Sequence, residues 1–201
     1  MRRWVNTAML ALALGGCAAN LPDPGQVKLA VPAALPLRAR VLVDIAQSDL
    51  DRKLSYQLNQ VSRQDTDIKE GLALEQAAVG LLGQVFAATA VNQPSPRPDV
   101  IARITGTAVY NRVAGTFRVI CGIDANRVDG IPLGHFYNAY TSEPVLSLEG
   151  SLPRVYAQCL KGPVEDLLRA PAFTRLAAAG FPPPDPAAAT GYLRSQGYVV
   201  R

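Results

Sequence analysis

The chain changes its hydrophobic period twice, and that change limits its possible folds more than any single motif. Leu37, Ala39, Val41, Val43 and Ile45 alternate with Arg38, Arg40 and Asp44, the two-residue repeat of a strand with one buried face. From Ile68 the spacing lengthens. Ile68, Leu72, Val79, Leu82 and Phe86, with a second row at Leu74, Ala78, Leu81 and Val85, predict a long helix burying a broad face, with Asp65 or Asp67 as its N-cap. Alternation then returns in Asp99 to Tyr110, in Thr116 to Ala125 and, more weakly, in Gly134 to Thr141. Leu152, Val155, Tyr156, Cys159, Leu160, Val164, Leu167 and Leu168 restore helical spacing up to Arg169, with Ser151 as the expected cap and Pro163 expected to bend or split the helix.

A weaker alternation through Leu54, Tyr56 and Leu58, over residues 53–61, is the expected hairpin partner of the first strand. The order strand, strand, helix, three strands, helix predicts an α+β fold: a mainly antiparallel sheet with two helices packed on one face. The three prolines of Asn92-Gln-Pro-Ser-Pro-Arg-Pro98 end the first helix, and Asp185-Pro186 opens a short last one that closes near Gly197.

The amino terminus carries a different signal. Met1-Arg-Arg-Trp starts a leader whose apolar run, Ala8 to Leu14, is far shorter than the roughly 20 residues needed to span a bilayer, as in a cleaved export signal. Leu14-Gly15-Gly16-Cys17 then resembles the lipobox of bacterial lipoprotein precursors. That resemblance implies a diacylglyceryl group on the Cys17 thiol, cleavage before Cys17 and acylation of the new amino terminus; the alternative is an ordinary signal peptide with a coincidental cysteine. Ala18, where an aspartate would resemble an inner-membrane retention signal, favours the outer membrane. Each acyl CH2 would contribute about 0.8 kcal/mol of anchoring.

The expected organisation is therefore residues 1–16 as signal peptide and 17–36 as lipidated Cys17 with a Pro-rich tether. Residues 37–170 form the α+β domain, and 171–201 a Pro/Ala-rich tail with a short helix.

With Arg2 and Arg3 set aside, 18 Lys and Arg face 16 Asp and Glu, scattered singly. A nucleic-acid binder concentrates its cations on one face, so that class is excluded. Cys121 and Cys159 remain after Cys17. Cys121 falls on the apolar face of its strand and Cys159 on the apolar stripe of its helix. A disulfide between them is favoured in an oxidising compartment, with two buried thiols as the alternative.

Catalytic signals are weak. His135, the one histidine, lies at a turn entering a strand with no cluster of metal ligands near it, so a surface role is expected and no metal. The carboxylate pairs Asp124 with Asp129 and Glu165 with Asp166 read as solvated surface, and Tyr110, Tyr137 and Tyr140 near strand ends could serve either packing or binding. A Gly-x-Ser-x-Gly elbow is absent from the sequence, as is a phosphate-cradling glycine loop.

The segment Ile68 to Phe86, with Gly71 early in the helix and Phe86 at its end, resembles a pattern in YajG-type and related transporter-auxiliary outer-membrane lipoproteins. The resemblance covers residues 37–169 in order of elements. It implies a non-enzymatic envelope protein, several family members being accessory subunits, and carries over no functional residue; no cofactor is expected. The expectation is a non-enzymatic accessory protein, lipid-anchored to the inner leaflet of the outer membrane, facing the periplasm and binding an envelope protein. The alternatives are a periplasmic enzyme, a periplasmic small-ligand or lipid-transport component, and a structural subunit of a secretion or appendage assembly.

Overall fold

The computed structural model describes residues 26–30, 36–57, 65–94 and 97–199. Cys17 and the leader lie outside them, as does part of the Pro-rich turn between residues 92 and 98. Strand β1 (Leu37–Asp44) leads through a single helical turn, α1 (Gln47–Leu50), to β2 (Lys53–Gln57) and β3 (Asp65–Lys69). Helix α2 (Glu70–Val85) follows, then β4 (Phe86–Val91), β5 (Val100–Asn111), β6 (Thr116–Arg127) and β7 (Pro132–Thr141). Helices α3 (Leu148–Arg169), α4 (Pro171–Ala178) and α5 (Pro186–Ser195) complete the chain.

The fold is α+β, but the five-stranded sheet, in the order β4-β1-β5-β6-β7, is mixed. β1 pairs in parallel with both β4 and β5, while β5, β6 and β7 form an antiparallel meander. The expectation of a mainly antiparallel sheet fails at β1, both of whose neighbours run parallel to it, and one of these, β4, lies outside the expected strands. Phe86-Ala-Ala-Thr-Ala-Val91 reads as the end of a helix, because alanine has the highest helix propensity. Pairing with β1 overrides that preference, and Phe86 turns extended at φ −106° and ψ 144°.

The second expected strand also goes elsewhere. β2 pairs with β3 as a separate two-stranded sheet, and not with β1. Asp65 and Asp67 therefore lie in a strand instead of capping α2, whose N-cap position is Lys69 with no side-chain cap. The first turn of α2 is secured instead by the Gly71 N–H, which donates to the Arg52 carbonyl at 3.1 Å. Gly71 fits because α1 presses against it: a Cβ there would stand 2.1 Å from the Leu50 carbonyl oxygen.

α3 starts one turn earlier than its apolar pattern suggests. Ser147, not Ser151, caps it by accepting from the Gly150 N–H at 3.3 Å. The helix is neither split nor ended at Pro163. Proline cannot donate to the carbonyl four residues back, which here is Cys159. That carbonyl accepts instead from the Asn138 side-chain amide of β7 at 3.1 Å, so the missing bond is replaced across the helix–sheet interface.

α2 and α3 cover one face of the sheet, where Leu74, Leu81, Phe117, Val119, Tyr156 and Leu160 meet in the main core. α4 adds Phe173, whose ring packs edge-on to Phe86 at 6.0 Å. The chain past residue 170 also reaches the opposite face. Asp185 caps α5 as expected, accepting from the Ala187 and Ala188 N–H groups, and Ala189 and Leu193 bury Leu42, Ile101 and Val128 in a second, smaller core. One end of the sheet is thus covered on both faces, whereas Val109, Ile120 and Tyr137 on the remaining outer face are exposed.

Cys121 and Cys159 are joined in a disulfide that closes a separation of 38 residues and ties β6 to α3. Residues 27–30, expected to be tether, lie on the domain: Val27 is buried, and Ala30 bonds to Glu165 and Arg169 at the end of α3.

Candidate functional site

Two polar arrangements stand out, one inside the fold and one on its surface. The inner one centres on Glu70, which is 2% exposed. β1 accompanies β5 only as far as Arg103, leaving the later part of that edge of β5 without β1 beside it. Backbone groups on that stretch need other partners. Glu70 accepts from the Ala108 N–H at 2.7 Å and Arg52 donates to the Gly106 carbonyl, so the pair occupies the place of the missing strand. The Tyr156 hydroxyl donates to Glu70 at 2.6 Å, and Arg52 bridges Glu70 at 2.9 Å and Asp49 at 2.7 Å. Burial, then the bond and charge of Glu70, hold the Tyr156 hydroxyl well above the ordinary tyrosine range. Burial pulls the Arg52 guanidinium down, but the Glu70 charge and hydrogen bond outweigh it, and its pKa is raised. Every member of this network is engaged in holding the fold.

The surface arrangement is a cleft of about 130 Å³ between the outer sheet face and α5, lined among others by Asp44, Arg103, Asp124, Asn126, His135 and Gln196. Register explains the convergence. Asp44, Arg103, Asp124 and His135 occupy neighbouring positions across β1, β5, β6 and β7, so one row of the outer face carries four polar side chains. Arg103 donates to Asp44 at 2.8 Å and to Gln196 at 2.7 Å, and Tyr198 donates to the other Asp44 oxygen at 2.5 Å. The Asp44 hydrogen bond raises the Arg103 pKa, while burial, and then Asp44, raise that of Tyr198.

His135 meets Asp124 through Nδ1, and the Tyr137 hydroxyl donates to the same carboxylate oxygen at 3.1 Å, which raises the tyrosine's pKa. Tyr137 lies over Gly122: a Cβ at Gly122 would stand 2.4 Å from two ring carbons, so only glycine admits this ring position. Tyr137 as a whole is nevertheless 62% exposed.

The carboxylate pairs do not converge. Asp129 pairs with Arg127, and Glu165 and Asp166 meet only through the Arg169 guanidinium at the end of α3; the Asp129 and Glu165 side chains, each 12% exposed, are not the solvated surface expected of them. Tyr110 packs on Phe117 with ring centroids 5.1 Å apart, and Tyr140 is half-buried. Among the described residues, no three His, Cys, Asp or Glu side chains gather as a metal site would require. Sequence reasoning reached His135, Asp124 and Tyr137 singly but missed Arg103, Asp44 and Gln196. Their convergence depends on strand order and on where α5 docks, neither of which leaves a local signal.

No family model and no curated protein matches the chain. Among solved structures, protein XCC0632 from Xanthomonas campestris, of the family DUF330, is similar at 13% identity over 84% of this chain and 94% of that one, with a TM-score of 0.38. No helix among the described residues is long and apolar enough to cross a membrane.

Proposed function

We propose that the chain is a non-enzymatic accessory protein of the bacterial cell envelope, anchored by lipid on Cys17 to the periplasmic face of the outer membrane and binding an envelope partner. The observation that carries this reading is Leu14-Gly15-Gly16-Cys17 behind a short apolar run with an arginine-rich start. The Cys121–Cys159 disulfide supports it, since such bonds persist in oxidising compartments and are rare in reducing ones.

β7, ten residues long, forms one edge of the main sheet and offers a template for strand addition by a partner. Metabolic labelling with a palmitate analogue tests the anchor: label should enter the wild-type chain and be lost in Cys17→Ser, which should also leave the membrane fraction. Crosslinking in intact cells should then capture an envelope protein through substituted β7 positions. Labelling that persists without Cys17, or turnover of a cell-wall substrate by the purified protein, would overturn the reading.

A further inference from the structure

Tyr137 is an exposed side chain held at both ends. Its ring rests on the glycine-made gap at Gly122 and its hydroxyl is tied to Asp124, yet it remains mostly open to solvent. The ring covers the Gly122 backbone, which is buried on an otherwise open face, while Tyr137 itself stays 62% exposed. A tyrosine fixed in this way is also a preorganised amphipathic surface, with a low entropy cost on binding.

Asp124 also lines the cleft, and the His135–Asp124 row lies two positions along the strands from the Tyr137–Gly122 row. The ring and the cleft are therefore roughly 7 Å apart on one face. Thr105, paired with Gly122, adds a hydroxyl between the strands.

The chemistry of this lining selects among ligands. Two carboxylates, Asp44 and Asp124, oppose an anion. A divalent cation would have to displace Arg103 from Asp44 and the His135 and Tyr137 contacts from Asp124. At about 130 Å³ the cleft is also well below the roughly 300–1,000 Å³ of drug-sized apolar pockets. Carboxylate, guanidinium and amide groups beside an exposed aromatic ring suit a ligand with adjacent hydroxyls along one edge and a C–H face on its flank.

We propose that Tyr137 and the adjoining cleft bind an oligosaccharide, one pyranose stacking on Tyr137 and bonding Asp124 while the next sugar along the chain lies in the cleft against Asn126 and Arg103. The site stands on its own geometry; that its natural sugar belongs to an envelope glycan rests on the function proposed above.

The test uses the full chain extracted from membranes in a detergent without a sugar headgroup. Saturation-transfer NMR is recorded with cellotriose and with triacetylchitotriose, using inorganic phosphate and ethanolamine as ionic competitors. Millimolar or tighter binding of either trisaccharide is expected, and preference between them tells a plain from an N-acetylated glycan. Tyr137→Ala should weaken it about tenfold, Tyr137→Phe much less, and Asp124→Asn should also weaken it, with unchanged circular dichroism in the two tyrosine variants. Absence of saturation transfer from both sugars, full displacement by phosphate or ethanolamine, or undiminished binding by folded Tyr137→Ala would overturn the proposal. If Tyr137→Ala does not fold, a tenfold loss in Tyr137→Leu serves the same comparison. Such a failure leaves palmitate labelling of Cys17 untouched, so the two readings fall separately.

Discussion

Truncating Glu70 probes the interior most directly, because its carboxylate closes three contacts at once: the Ala108 N–H at 2.7 Å, the Tyr156 hydroxyl at 2.6 Å and Arg52 at 2.9 Å. In Glu70→Ala the Ala108 and Tyr156 donors lose their acceptor in a buried site, each worth about 1–3 kcal/mol. Arg52 is stranded less severely than a fully buried cation. Its side chain is 26% exposed and it keeps Asp49, so its share falls below the roughly 3–5 kcal/mol of a broken buried pair. With a share of about 1 kcal/mol for Arg52, a total loss of about 3–7 kcal/mol follows, which in a domain of this size lowers Tm by roughly 6–28 °C.

Glu70→Gln retains an acceptor for Ala108 and Tyr156 but turns an NH2 toward Arg52, and Tyr156→Phe removes a single bond. Each should cost about 1–2 kcal/mol. The assay is urea unfolding followed by far-UV circular dichroism near neutral pH with the disulfide intact, arranged as a double-mutant cycle between Glu70→Ala and Tyr156→Phe. Coupling between the two is expected, since both act through one hydrogen bond. A Glu70→Ala loss under about 1 kcal/mol, or strict additivity, would show that the network does not replace the missing strand beside β5.

Stability should also fall in alkali. Tyr156 keeps its proton in the fold above the ordinary tyrosine value of 10.0, while the unfolded chain releases it there. Its contribution is therefore full below that pH and declines above it. Tyr156→Phe should flatten this decline in unfolding curves recorded at rising pH, and an unchanged slope would assign it elsewhere. Removing the bridge through Cys121→Ala with Cys159→Ala should cost about 4 kcal/mol by loop entropy for the separation of 38 residues, and alkylation of unreduced denatured wild-type protein should find neither thiol free. Asn138→Ala should cost about 1–3 kcal/mol by orphaning the Cys159 carbonyl opposite Pro163; equal unfolding midpoints would refute that substitution of one bond for another. Gly71→Ala should unfold or strongly destabilise the domain, measured by the same curves, because the new Cβ would meet backbone at 2.1 Å.

What could be read from residues alone were features written in local periodicity. The alternation of Leu37 to Ile45 and of Val100 to Ala108 marked β1 and β5, the spacing from Leu74 to Val85 marked α2, and Asp185-Pro186 marked the start of α5. Cys121 and Cys159 could be paired in advance because both fell on apolar faces that an α+β fold brings together.

The features that escaped are those decided by partners distant in sequence. Phe86 to Val91 became a strand because β1 had a free edge, and Ser151 lost the cap to Ser147 because α3 gained a turn outside its apolar stripe. Pro163 stayed within its helix because Asn138 of another layer supplied the missing hydrogen bond. The surface cleft belongs to the same class. Asp44, Arg103, Asp124, His135 and Gln196 are ordinary polar residues in five separate stretches. They form a site only because parallel β1–β5 pairing, antiparallel β5–β6–β7 register and the docking of α5 bring them onto one face. Periodicity fixes which face a residue takes within its own element, whereas strand order and helix placement, set by burial over the whole chain, decide which faces meet.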